Sequence, residues 1–202
     1  MSFVYRPPYD LVQPPPPPHT PSTFPTAGAT WRANLNTDIT GLNVDSDVPL
    51  RLRYEIKITV APATTPAFKW QYRKNGGTWT DITAASSNVK TLNSANFADG
   101  DDVISQLLGT EAYNSSNAAA EETSGTFTMP NDFLVGTVIE TEIAVTIISA
   151  DLANLDDLDF RIVKSNATVL DTYTQTATLT DVSKGAGGSI IPIIQQHRRM
   201  RQ

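Results

Sequence analysis

The chain has 202 residues, a net charge of −6, 40% hydrophobic residues and no cysteine. The missing cysteine excludes disulfides, thiolate metal sites and a cysteine nucleophile. The mild negative charge argues against a nucleic-acid-binding body, which needs clustered Lys and Arg.

Nine of the fourteen prolines fall within the first 25 residues, five of them in the run Pro14–Pro18. Proline fixes φ and lacks an N–H, so this stretch reads as an extended, polyproline-like arm over residues 1–30. Phe3, Tyr5, Tyr9 and Phe24 are spaced among the prolines, where a solvated linker would carry Ser, Glu or Lys. Aromatics beside a stiff segment suit docking on another chain, because little entropy is lost on binding. The leading residues have neither the basic start nor the apolar run of a secretory leader. No stretch approaches the roughly 18 apolar residues of a membrane span. The expectation is a protein made in a cytoplasm, outside the general secretory route.

Residues 31–182 read as one β-sandwich domain. Leu50–Val60 (LRLRYEIKITV) alternates strictly, with Leu50, Leu52, Tyr54, Ile56, Ile58 and Val60 on one side. Arg51, Arg53, Glu55, Lys57 and Thr59 fall on the other, so a strand with one wet face is expected. Phe68–Arg73 (FKWQYR) alternates again. Lys74-Asn75-Gly76-Gly77 follows, with residues that tolerate positive φ, and Thr78–Thr83 is the expected return strand of a tight hairpin. Val89–Leu92 and Gly125–Met129 read as short strands, Asp99–Asp102 as a turn, and Val103–Leu108 as a strand or a helical turn. Ala84–Asn88 and Asn114–Ser124 read as loops. Thr137–Ser149 is a long β-branched strand. Leu158–Lys164 is expected to pair through Ser165-Asn166-Ala167 with Thr168–Thr174, and Thr176–Val182 to continue or bend. Seven to nine strands without a helical period indicate an all-β sandwich. A long alternating strand followed by an aromatic–basic hairpin occurs at 50–83 and again at 137–174, a weak internal echo.

Residues 183–202 read as a tail, with a Gly-rich hinge, the apolar run Ser189–Ile194 and a basic end. Its isoleucines Ile190, Ile191, Ile193 and Ile194 suit a hook onto a neighbour.

No catalytic constellation emerges. The two histidines, His19 and His197, lie in the arm and the tail, away from any orienting carboxylate or nucleophile. The acidic groups Asp99, Asp101, Asp102 and Asp151, Asp156, Asp157, Asp159 lack the spacing of an EF-hand and read as solvated turns. Asn114-Ser115-Ser116 and Asn166-Ala167-Thr168 match the glycosylation pattern only by chance if no secretory signal precedes them. Trp70 is in phase with Phe68 and Tyr72 and reads as core. Trp79 follows the turn and could take either face. No cofactor or metal is expected, and no enzymatic activity.

The segments RLRYEIKI (51–58), FKWQYRKNGGTWTDIT (68–83) and ETEIAVTIISADLANLDDLDFRIVKSNATVLDTYT (140–173) resemble an Ig-like antiparallel β-sandwich found in structural proteins of tailed bacteriophages. The resemblance spans roughly residues 45–180 and excludes the arm and the tail. It implies a virion protein, most often on the head surface or in the tail, with no active site to carry over. The expected function is a capsid decoration (cement) protein that anchors on the head through its termini. Its expected partners are the major capsid protein or other virion proteins, in many copies or as a homo-oligomer. The residues expected at the partner are Phe3, Tyr5, Tyr9, Pro14, Pro15, Pro16, Pro17, Pro18, Ile190, Ile191, Ile193 and Ile194. The alternative is a tail, collar or fibre module for host-surface or carbohydrate recognition, which exposed aromatics at Trp79 or in the 109–124 loop would favour.

Overall fold

The computed structural model describes residues 2–10, 30–31, 37–57, 59, 66–94, 97–103, 106, 110–114, 119–129, 135–170, 172–173 and 176–185. Among these, the chain is all-β, with two sheets facing across one core and no α-helix.

The centre of the molecule is two pairs of long strands. In the first sheet, β4 (Val48–Lys57) pairs antiparallel with β11 (Val138–Ile147) over its whole length. In the second, β5 (Ala67–Lys74) pairs antiparallel with β12 (Leu158–Lys164). Each long strand of the first sheet is therefore followed in the chain by one of the second. The echo between 50–83 and 137–174 corresponds to two such units paired with each other. Leu52, Tyr54, Ile56 and Ile143 meet Phe68, Trp70, Phe160 and Ile162 in the core. The Tyr54 ring meets Trp70 edge-on at 5.0 Å, and its hydroxyl donates to the Phe160 carbonyl at 2.9 Å. A buried aromatic whose polar end has an acceptor joins the sheets without an orphaned hydroxyl.

Shorter strands extend the sheets. The first gains β1 (Ser2–Asp10), β2 (Thr30–Trp31), β7 (Val89–Thr91), β8 (Asp101–Asp102), β9 (Ala119–Glu121) and β13 (Thr172–Tyr173). The second gains β3 (Ile39–Thr40), β6 (Thr80–Asp81), β10 (Thr126–Thr128) and β14 (Ala177–Thr180). The long pairings are antiparallel, as expected of the sandwich, and the short pairings β1–β13, β11–β9 and β14–β3 are parallel.

Four expectations change. Ser2–Asp10, expected as part of an extended arm docked on another chain, is a strand antiparallel to β4. Its register breaks between Arg6 and Tyr9, so Pro7 and Pro8 sit at an irregularity where a missing N–H costs no ladder bond. Arg51, Arg53 and Glu55 are buried, not wet. The 114–124 segment, expected as a loop, contains β9. Finally, β12 takes β14 as its neighbour, while Thr172–Tyr173 crosses to the first sheet and pairs with β1.

The hairpin after β5 forms as expected, with a shorter return strand. Asn75 and Gly76 both have positive φ, 50° and 67°, and the Gly77 amide donates to the Lys74 carbonyl at 2.9 Å. These are the marks of a two-residue primed turn. Tyr72 then pairs with Thr80. One residue, Arg73, lies between Tyr72 and Lys74, whereas two, Thr78 and Trp79, lie between Gly77 and Thr80. The extra residue is a bulge, and a bulge re-aims side chains.

Candidate functional site

Three polar arrangements stand out from the sheets. The largest lies on the face of the first sheet turned away from the core. Arg51, Arg53 and Glu55 alternate on β4, and Glu140 and Glu142 on β11. Register sets Arg53 opposite Glu142 and Glu55 opposite Glu140. Arg53 donates through Nε to Glu142 at 2.9 Å and through Nη1 to Glu140 at 3.1 Å, and Arg51 Nε also donates to Glu142. Arg53, Glu140 and Glu142 have no exposed surface. Segments between β7 and β11 cover them. The Phe97 ring lies 5.2 Å from the Arg51 guanidinium, and Val103 is fully buried. The Tyr113 hydroxyl donates to the Val103 carbonyl. Burial and the Glu140 charge push the Tyr113 phenol above its ordinary range. The ladder is closed to solvent and its ion pairs lie within the chain, which suits holding register more than binding a ligand.

The second arrangement is the acidic turn. Asp99 accepts from the amides of Glu122 at 2.6 Å, Thr123 at 2.9 Å and Ser124 at 3.4 Å, and from the Thr123 hydroxyl. Burial raises the Asp99 carboxyl, but these donors outweigh it and hold the group down at about 2. Glu121, on β9 and 4% exposed, is pushed up to about 8 by burial and then by its hydrogen bond to Asp99. A protonated Glu121 against an ionised Asp99 shares one proton between two carboxyls. The second acidic group is also committed. Asp156 accepts from Asn75 Nδ2 and the Ala153 amide, both at 2.7 Å, and Asp159 from Arg73 Nε at 2.6 Å. Among the described residues, no group of three or more His, Asp and Glu is placed to hold a metal.

The third lies on the outer face of the second sheet. Trp70 is buried in the core between Tyr54 and Phe127, as its phase with Phe68 and Tyr72 indicated. Trp79 takes the opposite face. A bulge-free return strand would set it opposite Tyr72, whose side chain points into the core. The extra residue instead sets Thr78 and Trp79 against Arg73. Its half-buried ring lies 4.6 Å from the Arg73 guanidinium and 4.1 Å from that of Arg161 on β12. Arg161 donates through Nε at 2.9 Å and Nη2 at 2.8 Å to Gln71 Oε1.

Of the expected contact residues, Phe3, Tyr5 and Tyr9 lie in β1, in register with Ile56, Tyr54 and Arg51 of the same chain. Pro14–Pro18, Ile190, Ile191, Ile193 and Ile194 lie outside the described residues, as do His19 and His197. Sequence reading missed the charge ladder, although its signal was present. Two Arg on one long strand and two Glu on another occupy the same alternate positions, as they must if the strands pair. No protein-family model, curated protein or solved structure matches the chain.

Proposed function

We propose that the chain is a structural protein of a tailed-phage virion, an Ig-like sandwich that decorates the capsid and fastens to it through segments outside the sheets. The observation that supports this reading is how the sandwich uses its own charge. The ladder of Arg51, Arg53, Glu140 and Glu142 is buried, and the turn carboxylates Asp99 and Asp156 accept hydrogen bonds from within the chain. Charge spent in this way stiffens a body; it does not work on a substrate.

Attachment then falls to the parts of the sequence least suited to a sheet. Phe3, Tyr5 and Tyr9 belong to β1, so the anchoring role passes to Pro14–Pro18 and to Ile190–Ile194. Asp10 and Thr30, which flank the proline segment in the sequence, are register partners. Stiff segments lose little entropy on docking, and many copies make weak contacts collectively strong.

The test uses purified particles of the phage or prophage that encodes the chain. Mass spectrometry should find the chain in many copies per particle. A variant with Pro14–Pro18 changed to Ser and the chain cut after Gly188 should melt with the wild type yet fail to bind particles stripped of the protein. Absence from particles, or full occupancy by that variant, overturns the proposal.

A further inference from the structure

The outer face of the second sheet carries a cation that its own chain does not neutralise. Among the described residues, Arg161 has no carboxylate within ion-pair distance, unlike Lys69, which meets Asp81 at 2.7 Å, and Arg73, which meets Asp159 at 2.6 Å. Its acceptor is the neutral Gln71 Oε1, which takes Nε and Nη2. The nearby Asp159 is engaged by Arg73 Nε and by the Thr178 hydroxyl, at 3.0 Å. Among the described residues, Nη1 of Arg161 has no acceptor. A guanidinium presents its donors in a planar fork that matches a carboxylate in two parallel bonds.

The aromatic beside it is placed by a device of the fold. The bulge at Thr78–Trp79 withdraws an indole from the core side and lays it near two guanidiniums. Two cations near one ring repel each other, and burial together with Arg73 lowers the Arg161 pKa. An added anion would relieve that repulsion. Trp79 is half-buried, with both guanidiniums over its ring, and an indole is of the kind that stacks on the C–H face of a sugar ring.

We propose that Trp79 and Arg161, with Gln71 holding Arg161 in place, form a binding site for a carboxylated polysaccharide: the ring stacks on a sugar and the guanidinium pairs with its carboxylate. The site lies on an open sheet face, which suits a polymer that runs across it more than a small molecule that needs enclosure. The proposal is independent of where the chain is assembled.

The test is titration of the full chain with a galacturonic acid tetramer, followed by NMR of the indole N–H signals. Trp79→Phe assigns the Trp79 resonance. The expected result is a saturable shift of that resonance, weakened by salt, with the neutral galactose tetramer at least about tenfold weaker. Arg161→Gln and Trp79→Ala should each weaken binding about tenfold, near 1.4 kcal/mol. Circular dichroism should show both variants folded, and Arg161→Lys should restore binding only in part, since an ammonium lacks the fork. A Trp79 signal unmoved at millimolar tetramer overturns the proposal. So does equal binding of the neutral sugar or of a glutamate tetrapeptide, and so does unchanged affinity in folded Trp79→Ala.

Discussion

At the scale of single residues, the tightest constraint is a glycine. β6 and β10 both pair with β5, and the chain enters β10 through Gly125. The Trp70 amide donates to the Gly125 carbonyl at 2.8 Å, while the Trp70 carbonyl accepts from the Ile82 amide at 3.0 Å. One core residue is thus held from both sides by backbone. A Cβ on Gly125 would fall 1.8 Å from the Ile82 carbonyl oxygen. Backbone is not the flexible end of a side chain, so β10 would have to move, and with it Phe127, which packs on Phe68 at 5.4 Å. Overpacking alone costs about 1–3 kcal/mol, and this site adds a strained strand. Gly125→Ala is expected to lose about 3 kcal/mol in urea unfolding, with Gly77→Ala, whose added Cβ would meet only the Lys74 carbonyl at 3.0 Å, as the milder comparison. Equal stability of Gly125→Ala and wild type would refute this packing.

At the scale of elements, the sequence disclosed strands better than their surroundings. The alternation of Phe68, Trp70 and Tyr72 and the Asn75-Gly76 turn are local, and both appear as read. The burial of Arg51, Arg53 and Glu55 is not local, because residues more than forty positions away cover them, and alternation alone cannot distinguish a wet polar face from a covered one. The face of Trp79 depended on one extra residue just before the two-residue strand β6, a register effect that residue types do not reveal. The partner of β12 was misread because the turn Lys164–Thr168 looks like a hairpin, whereas Thr172–Tyr173 finds its bonds on β1.

The buried ladder gives the β4–β11 pair a sharp test. Glu142 is the shared acceptor of Arg51 and Arg53, so removing it takes a buried carboxylate from two guanidiniums, of which Arg53 keeps Glu140. A broken buried pair costs about 3–5 kcal/mol, whereas replacing both partners with apolar groups is often close to neutral. Glu142→Ala should therefore destabilise by about 3–5 kcal/mol. The double variant Arg53→Met/Glu142→Leu should recover part of that loss, since Arg51 still loses Glu142 and Glu140 loses Arg53. Additive losses in this cycle, measured by denaturant unfolding, would show that the charges are not coupled.

At the scale of the whole molecule, one carboxyl pair links stability to pH with two opposite signs. Glu121 has its folded pKa raised to about 8 from an ordinary 4.5. Between these values the unfolded chain releases the proton while the folded chain keeps it. Stability therefore falls as pH rises from about 4.5 to 8 and levels off above that. Asp99 has the opposite sign: held at about 2 against 3.8, it contributes stability above pH 4 and loses it as pH falls toward 2. The two carboxyls titrate as a pair, and together they set a maximum near pH 4–5. The pair matters globally because it fastens the turn before β8 to the end of β9, and β9 lies on β11, the centre of the first sheet. Glutamine keeps an N–H for Asp99 and cannot ionise. Glu121→Gln should therefore match the wild type near pH 5 and exceed it at pH 9 by on the order of a few kcal/mol. The difference between the two proteins isolates Glu121 from the other titratable groups. Parallel pH profiles for the two, read by thermal unfolding from pH 4 to 9, would mean that Glu121 is ionised in the folded chain and that the proton shared with Asp99 does not exist.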